Sequence, residues 1–255
     1  MNRPRQKNEN RAGSRLTGRL VRKAAVTGLS CLLLTALCAP ERVLGQEKVT
    51  RIACLGDSIT LGQGTKNPAA DSYPAQLQQM LGNGYLVGNF GVSARTLICL
   101  GDYQYQKSNG LKDALKFDAD IVTIMLGSND SKPGNWAHKE RFVGDYEALI
   151  QTLRALPTKP KIYLCYPPFV PGTGNYGINE PVIEEQMSMI DQIARDEGLA
   201  VIDTHAALKG HEGCQPDKVH TNREGGTLLA KSVYKALTGR EFTGELPADK
   251  KATGE

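Results

Sequence analysis

Short apolar runs alternate with amphipathic stretches along most of the chain. The runs at Val49–Leu55, Tyr85–Phe90, Ile121–Leu126, Lys161–Cys165 and Leu199–Ile202 are rich in Ile, Val, Leu and Tyr and too short for helices. Their apolarity is continuous rather than alternating, which predicts strands buried on both faces, as in a parallel sheet. Helical spacing fills the intervals. Tyr73–Leu81 follows Ser72, a candidate N-cap, and places Leu77, Met80 and Leu81 on one face. Gly110–Phe117 is shorter and weaker. Phe142–Leu156 sets Tyr146, Leu149, Ile150 and Leu153 at i, i+3, i+4 and i+7 and stops before Pro157. Pro181–Glu197 carries Ile183, Met187, Ile190 and Ile193 and ends at Gly198, and Asn222–Leu237 closes the series. Strand and helix alternating in this way predict an α/β protein with a doubly wound sheet.

Both ends depart from the pattern. Residues 1–45 hold a basic region ending at Lys23, an apolar stretch from Ala24 to Ala39, and small residues at Val43 and Gly45. This reads as a signal peptide cleaved before Gln46, or as an uncleaved N-terminal anchor; the apolar stretch is short against the ~20 residues of a membrane span. The first reading predicts a secreted or periplasmic protein, and contact with a membrane follows only from the second. Residues 238–255 are charged and lack a core-facing pattern, which predicts a disordered tail. Between them, residues 46–237 form one domain of roughly 190 residues, enough for a full core.

Charge follows this division. The 255-residue chain has a formal charge of +4. Nine basic residues against Glu9 and Glu41 in residues 1–45 leave the rest at −3. A slightly acidic body argues against a nucleic-acid partner, which requires a basic face. Cys54 and Cys165 fall in apolar runs and read as core thiols. Cys99 and Cys214 fall in loops, where an exported protein can leave them free or pair them. No Cys/His spacing matches a zinc site, and the Gly62-x-Gly64 stretch lacks the spacing and Lys of a phosphate loop.

Candidate chemistry gathers where the predicted strands end, the edge at which open parallel sheets build sites. The first strand runs out in Gly56-Asp57-Ser58, the second in Asn89-Phe90-Gly91-Val92-Ser93, and the third in Gly127-Ser128-Asn129-Asp130. Asp217-Lys218-Val219-His220 precedes the last helix. A serine nucleophile needs a base for its proton and a carboxylate to fix that base. Ser58, His220 and Asp217 supply those types. Gly91, through its backbone N–H, and Asn129, through its side chain, can donate to an oxyanion. Each piece alone also suits an ordinary turn. Their order, with all of them at one sheet edge, is what makes them informative.

On these residues the chain resembles the SGNH-hydrolase superfamily, the GDSL esterases, over about Val49 to Leu237. The four marker residues match Ser58, Gly91, Asn129 and His220, with Asp217 completing the triad; the first block reads Gly-Asp-Ser-Ile-Thr, a variant of the longer Gly-Asp-Ser-Leu form. The resemblance implies a three-layer α/β/α, flavodoxin-like fold around a five-stranded parallel sheet, and a serine esterase mechanism without metal or other cofactor. It also implies an oxyanion hole made by the N–H groups of Ser58 and Gly91 and the Asn129 side chain. The chain looks like exported bacterial members of two kinds, carbohydrate acetylesterases and lysophospholipase-like esterases, and this resemblance makes the expected substrate a small ester or an O-acetylated glycan. A lysophospholipase or acyl-thioesterase is the alternative among the enzymes of the superfamily, and a catalytically silent glycan-binding module that keeps the fold is the alternative of a different class.

Candidate substrate contacts are Asp57, Trp136 and Tyr166. Trp136, the only Trp, can stack on a sugar or pin its loop. Tyr166 opens a Pro- and aromatic-rich segment reaching to Tyr176 that reads as a second wall of the cleft. Asp57 and Asp130 read either as turn-stabilising carboxylates or as the acid pair of a glycosidase. His205, at another strand end, reads as a loop residue or as part of the site.

Overall fold

In the computed structural model, which describes residues 48–247, the apolar runs become five strands: β1 (Thr50–Gly56), β2 (Tyr85–Gly91), β3 (Ile121–Met125), β4 (Lys161–Cys165) and β5 (Ala200–Ile202). All pair in parallel, in the order β2-β1-β3-β4-β5. Successive side chains in a strand point to opposite faces, and each face here meets its own core. Ala53 and Leu55 of β1 join Val122 and Ile124 of β3 and Ile162 and Leu164 of β4 on one side. Ile52 and Cys54 join Met125, Tyr163, Cys165 and Ile202 on the other. This is the three-layer α/β/α arrangement expected from the sequence.

The helices are α1 (Ser58–Leu61), α2 (Pro68–Asp71), α3 (Tyr73–Leu81), α4 (Asn109–Ala114), α5 (Pro133–Trp136), α6 (Phe142–Arg154), α7 (Glu180–Glu197) and α8 (Arg223–Thr238). Helices α4 and α6 pack on the first face through Leu111, Phe142, Tyr146 and Leu149, with Ile190 and Ile193 of α7. Helices α3 and α8 cover the second through Tyr73, Leu77, Leu229 and Val233. The five longer helices fall where the periodicity put them. The single-turn helices α1, α2 and α5 have no periodic signal to read, being shorter than one repeat of a hydrophobic face.

One glycine sets the geometry of the site. A Cβ on Gly56 would lie 2.7 Å from the carbonyl oxygen of Met125 and 2.1 Å from the Thr60 hydroxyl. Only glycine lets the end of β1 pass this close to the end of β3 while the chain turns into α1.

The C-terminal end differs from the expectation of a featureless tail. Helix α8 runs to Thr238, and Phe242 then folds back on Tyr234, their ring centroids 5.4 Å apart. Leu246 also packs against the second core, and Arg223 donates to the carbonyl of Pro247. Two apolar side chains four residues apart were enough to hold this segment, too few to register as a pattern. The expected leader over residues 1–45 and the last residues of the expected tail, 248–255, lie outside the described residues.

Candidate active site

Asp57 caps helix α1, accepting a hydrogen bond from the N–H of Ile59 at 2.9 Å. The single turn ends at Gly62 in the left-handed region. Ser58 therefore stands at the first position of a helix with its own N–H unused in the helix, at the C-terminal edge of the sheet.

His220 arrives from the opposite end of the chain. Its Nε2 lies 2.9 Å from Ser58 Oγ and its Nδ1 lies 2.6 Å from Asp217 Oδ2. Asp217 also builds the turn that carries the histidine. Its Oδ1 accepts from the N–H groups of Val219 at 3.0 Å and His220 at 2.7 Å, with Lys218, between Asp217 and Val219, at a positive φ. Val219 is fully buried in the second core and anchors the turn. Burial opposes ionisation of Asp217, but the bonds from the His220 ring and from the two N–H groups outweigh it and hold the carboxyl below its usual range. An ionised carboxylate on Nδ1 fixes the tautomer that leaves Nε2 to accept a proton.

Asn129 begins a 3-10 turn at the end of β3. Its carbonyl accepts from Asn135 Nδ2 at 2.8 Å, and its own Nδ2 donates to Asp57 Oδ2 at 3.3 Å. Asp57 thus ties the serine turn to the asparagine turn. Asp130 makes the next link, accepting from the N–H groups of Leu97 at 3.0 Å and Ile98 at 2.7 Å. Both carboxylates are buried and committed to neighbouring loops, which answers the glycosidase reading: neither faces a substrate. Asp57 is likewise not a substrate contact.

Burial pushes the Asp57 carboxyl up to about 7, helped by the nearby charge of Asp130 and opposed by the Ile59 N–H, Lys132 and Asn129. Burial pushes Asp130 up to about 6 against its backbone bonds. Both groups hold protons in the folded state at pH values where the unfolded chain has lost them. Their contribution to stability is therefore complete below about pH 4 and declines as the pH rises towards 7. We expect Asp57→Asn to flatten this decline. Its melting temperature relative to the parent should be higher at neutral pH than at mildly acidic pH, as thermal unfolding at the two pH values would show. An equal difference at both would remove the assignment.

The cleft above Ser58 has a volume of about 120 Å³. Ser58, Asn129 and His220 line it. Gln63, Ser93 and Ala94 lie along it from the exits of α1 and β2, and Lys132, Tyr176 and Ile178 from the loops after β3 and β4.

Gly91 is not among these residues, and this corrects the expected oxyanion hole. Its N–H donates to the side chain of Asn89 at 3.0 Å. A Cβ at Gly91 would stand 2.2 Å from the Leu61 nitrogen and 2.7 Å from the Thr60 carbonyl carbon. The glycine is there for the close approach of β2 to α1. Ala94, three residues on, lines the cleft at φ +62. No described residue accepts a hydrogen bond from its N–H. No residue type marks the position in advance, because alanine rarely takes this conformation. Gly91→Ala should cost on the order of 1–3 kcal/mol by overpacking, read as a lowered denaturation midpoint; unchanged stability would contradict the contact.

Trp136 and Tyr166 also lie away from the cleft. Trp136 is buried in the first core, 5.6 Å edge-to-face from Phe142, and its Nε1–H donates to Glu185 at 3.1 Å. Of its two readings, it pins the loop. The Tyr166 hydroxyl donates to Asp191. The aromatic wall comes from the far end of the same segment, at Tyr176. His205 is buried with Glu180, Nε2 to Oε1 2.5 Å, and braces the β4 exit, since Glu180 also accepts from the Val170 N–H. Cys54, Cys99, Cys165 and Cys214 are free thiols. Burial raises Cys54 to about 11 and also raises Cys165.

The model of the GDSL-like Lipase/Acylhydrolase family matches residues 54–228, and the chain belongs to that family. It is 40% identical over 213 residues to an acetylxylan esterase from Xylanibacter ruminicola, a match covering 75% of this chain and 44% of that protein. The chain thus spans less than half the length of this curated relative. Solved structures share the fold at lower identity. A carbohydrate acetylesterase from Sinorhizobium meliloti superposes with a TM-score of 0.61 at 19% identity, covering 74% of this chain and 99% of that one. The inhibitor-bound M. smegmatis aryl esterase gives 0.62 at 20% identity, with the same coverage.

Proposed function

We propose that this domain is a serine esterase that removes a small acyl group, acetyl, from a carbohydrate. The observation that carries the reading is the line Asp217–His220–Ser58, at 2.6 and 2.9 Å, opening into a cleft of only about 120 Å³. That volume is well below the roughly 300–1,000 Å³ of pockets that enclose drug-sized ligands, which favours a short acyl chain over the lipid acyl group of a lysophospholipase. The sequence similarity to an acetylxylan esterase supports a glycan as the alcohol.

In this mechanism Ser58 Oγ attacks the ester carbonyl while His220 Nε2 takes its proton. The carbonyl oxygen gains negative charge and is held by the N–H of Ser58, the N–H of Ala94 and the side chain of Asn129. The tetrahedral intermediate collapses, the C–O bond to the alcohol breaks, and His220 returns the proton to the leaving oxygen. Water then attacks the acyl-serine, giving its proton to His220, and carboxylic acid and free Ser58 are regenerated. The same reading makes the apolar leader an export signal, so that the enzyme works outside the cytoplasm; N-terminal sequencing of the protein recovered outside the cell would test it.

The direct test of acyl size uses p-nitrophenyl acetate, butyrate and octanoate. Turnover is expected to be fastest on acetate and to fall with chain length. A preference for octanoate would replace the acetylesterase with a lipid or thioester hydrolase.

A further inference from the structure

The cleft carries one lysine, and it makes no salt bridge among the described residues. Lys132 lines it directly, yet no carboxylate among the described residues lies within ion-pair distance of its ammonium group. Gln63, Ser93, Ala94, Asn129, Tyr176 and Ile178, which line the same space, are uncharged. The two nearby carboxylates are already engaged: Asp57 is buried beneath Asn129, and Asp217 holds the far side of His220.

The position of Lys132 relative to the reaction follows from where the proton goes. The leaving oxygen must reach His220 Nε2, so the alcohol half of the ester lies beside the imidazole. Tyr176 marks that side. Its ring centroid is 5.6 Å from that of His220, its hydroxyl reaches Asp217 at 3.4 Å, and 61% of its surface is open to solvent. The loop that presents it is closed by a bridge between Thr173 and Asn179, with Tyr176 and Gly177 both at positive φ. Lys132 adjoins the same loop: a Cβ built on Gly177 would lie 4.0 Å from the Lys132 Cγ. An aromatic face and a cation that makes no salt bridge therefore stand side by side where the alcohol must bind. Aromatic faces accept the apolar face of a sugar ring, and an ammonium group attracts a carboxylate on it.

We propose that the alcohol recognised here is a sugar that bears a carboxylate, an O-acetylated uronic acid or a glycan carrying one, with Tyr176 as the platform and Lys132 as the charge partner. This rests on the reading of the cleft as an esterase site and narrows its substrate. Lys132 contributes to specificity, not to the bond-making steps.

The test compares methyl mono-O-acetyl-glucopyranoside with the corresponding glucopyranosiduronate, acetylated at the same hydroxyl, so that the pair differs only in the carboxylate. For the parent protein, kcat/KM should favour the uronate by roughly fivefold at low salt, the scale of a solvent-exposed ion pair, and the preference should shrink at high salt. Lys132→Gln should bring the ratio towards one, Lys132→Glu should invert it, and Lys132→Arg should keep it. Tyr176→Ala should raise KM on both sugars. A parent ratio of one, or an equal loss on both substrates in Lys132→Gln, would overturn the proposal; the latter would assign Lys132 to the support of Asp57 and Asn129. Cleavage of p-nitrophenyl acetate with neither sugar cleaved would sink the sugar-acid assignment and leave the esterase standing. Cleavage of no ester at all would instead remove the esterase reading.

Discussion

Ser58→Ala is expected to abolish ester hydrolysis, lowering kcat on the order of 10⁴-fold or more, with no loss of fold. The substitution removes a single oxygen atom, the one 2.9 Å from His220 Nε2. Nothing else in the turn depends on that hydroxyl. Asp57 still caps α1 through Ile59, and Gly62 still ends it. Two readouts separate loss of the nucleophile from loss of structure. A fluorophosphonate probe should add its mass to the parent and not to the variant, and the melting temperatures should agree within a few degrees. Hydrolysis at the parent rate in Ser58→Ala would mean that another group attacks the ester and that the proposed line of residues is not the catalytic one.

Asn129→Ala carries the second largest expected effect, a fall in kcat of about 10²–10³-fold with a much smaller change in KM, since an oxyanion donor acts on charge that exists only in the transition state. Part of the side chain's work is structural. Its Nδ2 bonds Asp57 Oδ2 inside the protein, so its removal leaves a buried carboxylate with one partner fewer. Activity must therefore be measured on protein shown to be folded. A backbone change isolates the chemistry further. Replacing the amide before Ala94 by an ester removes that N–H and no side chain, and should lower kcat by a similar factor. The same change at residue 91 removes only a local bond to Asn89. If the ester at 91 is the damaging one, the oxyanion donor belongs to Gly91 after all.

That pair of positions marks how far the sequence could be read. Ser58, Asn129, Asp217 and His220 were legible because each is a distinctive residue type at the end of a predictable element, in an order that suits only one edge of the sheet. Gly91 drew attention for the same reason, as a glycine after a strand. Its use is steric: the backbone of α1 fills the space where a side chain would be. The residue that lines the cleft is an alanine with a left-handed backbone. Asp130 holds the N–H groups of Leu97 and Ile98 a few residues further along the same loop.

The aromatic residues make the same point through burial. Tyr166 directly follows β4 and Trp136 lies in the loop segment after β3, which is where substrate contacts are found. From there a side chain can turn towards the cleft or towards the helical layer behind it. Trp136 turns inward onto Phe142, and Tyr166 towards Asp191 on α7. Tyr176, ten residues further on, is the one that returns to the triad.

Strand burial and helical periodicity are local properties written in consecutive positions, so the parallel sheet and its flanking helices were legible in the sequence, and residue chemistry marked Ser58, His220, Asp217 and Asn129 as the candidates for nucleophile, base, acid and side-chain oxyanion donor. Only the fold decided which residue after β2 lines the cleft, which aromatic stands beside the triad and which lysine borders it. Those depend on the direction of individual side chains and on the distance between segments far apart in the chain, and neither is encoded in the neighbourhood of any one residue.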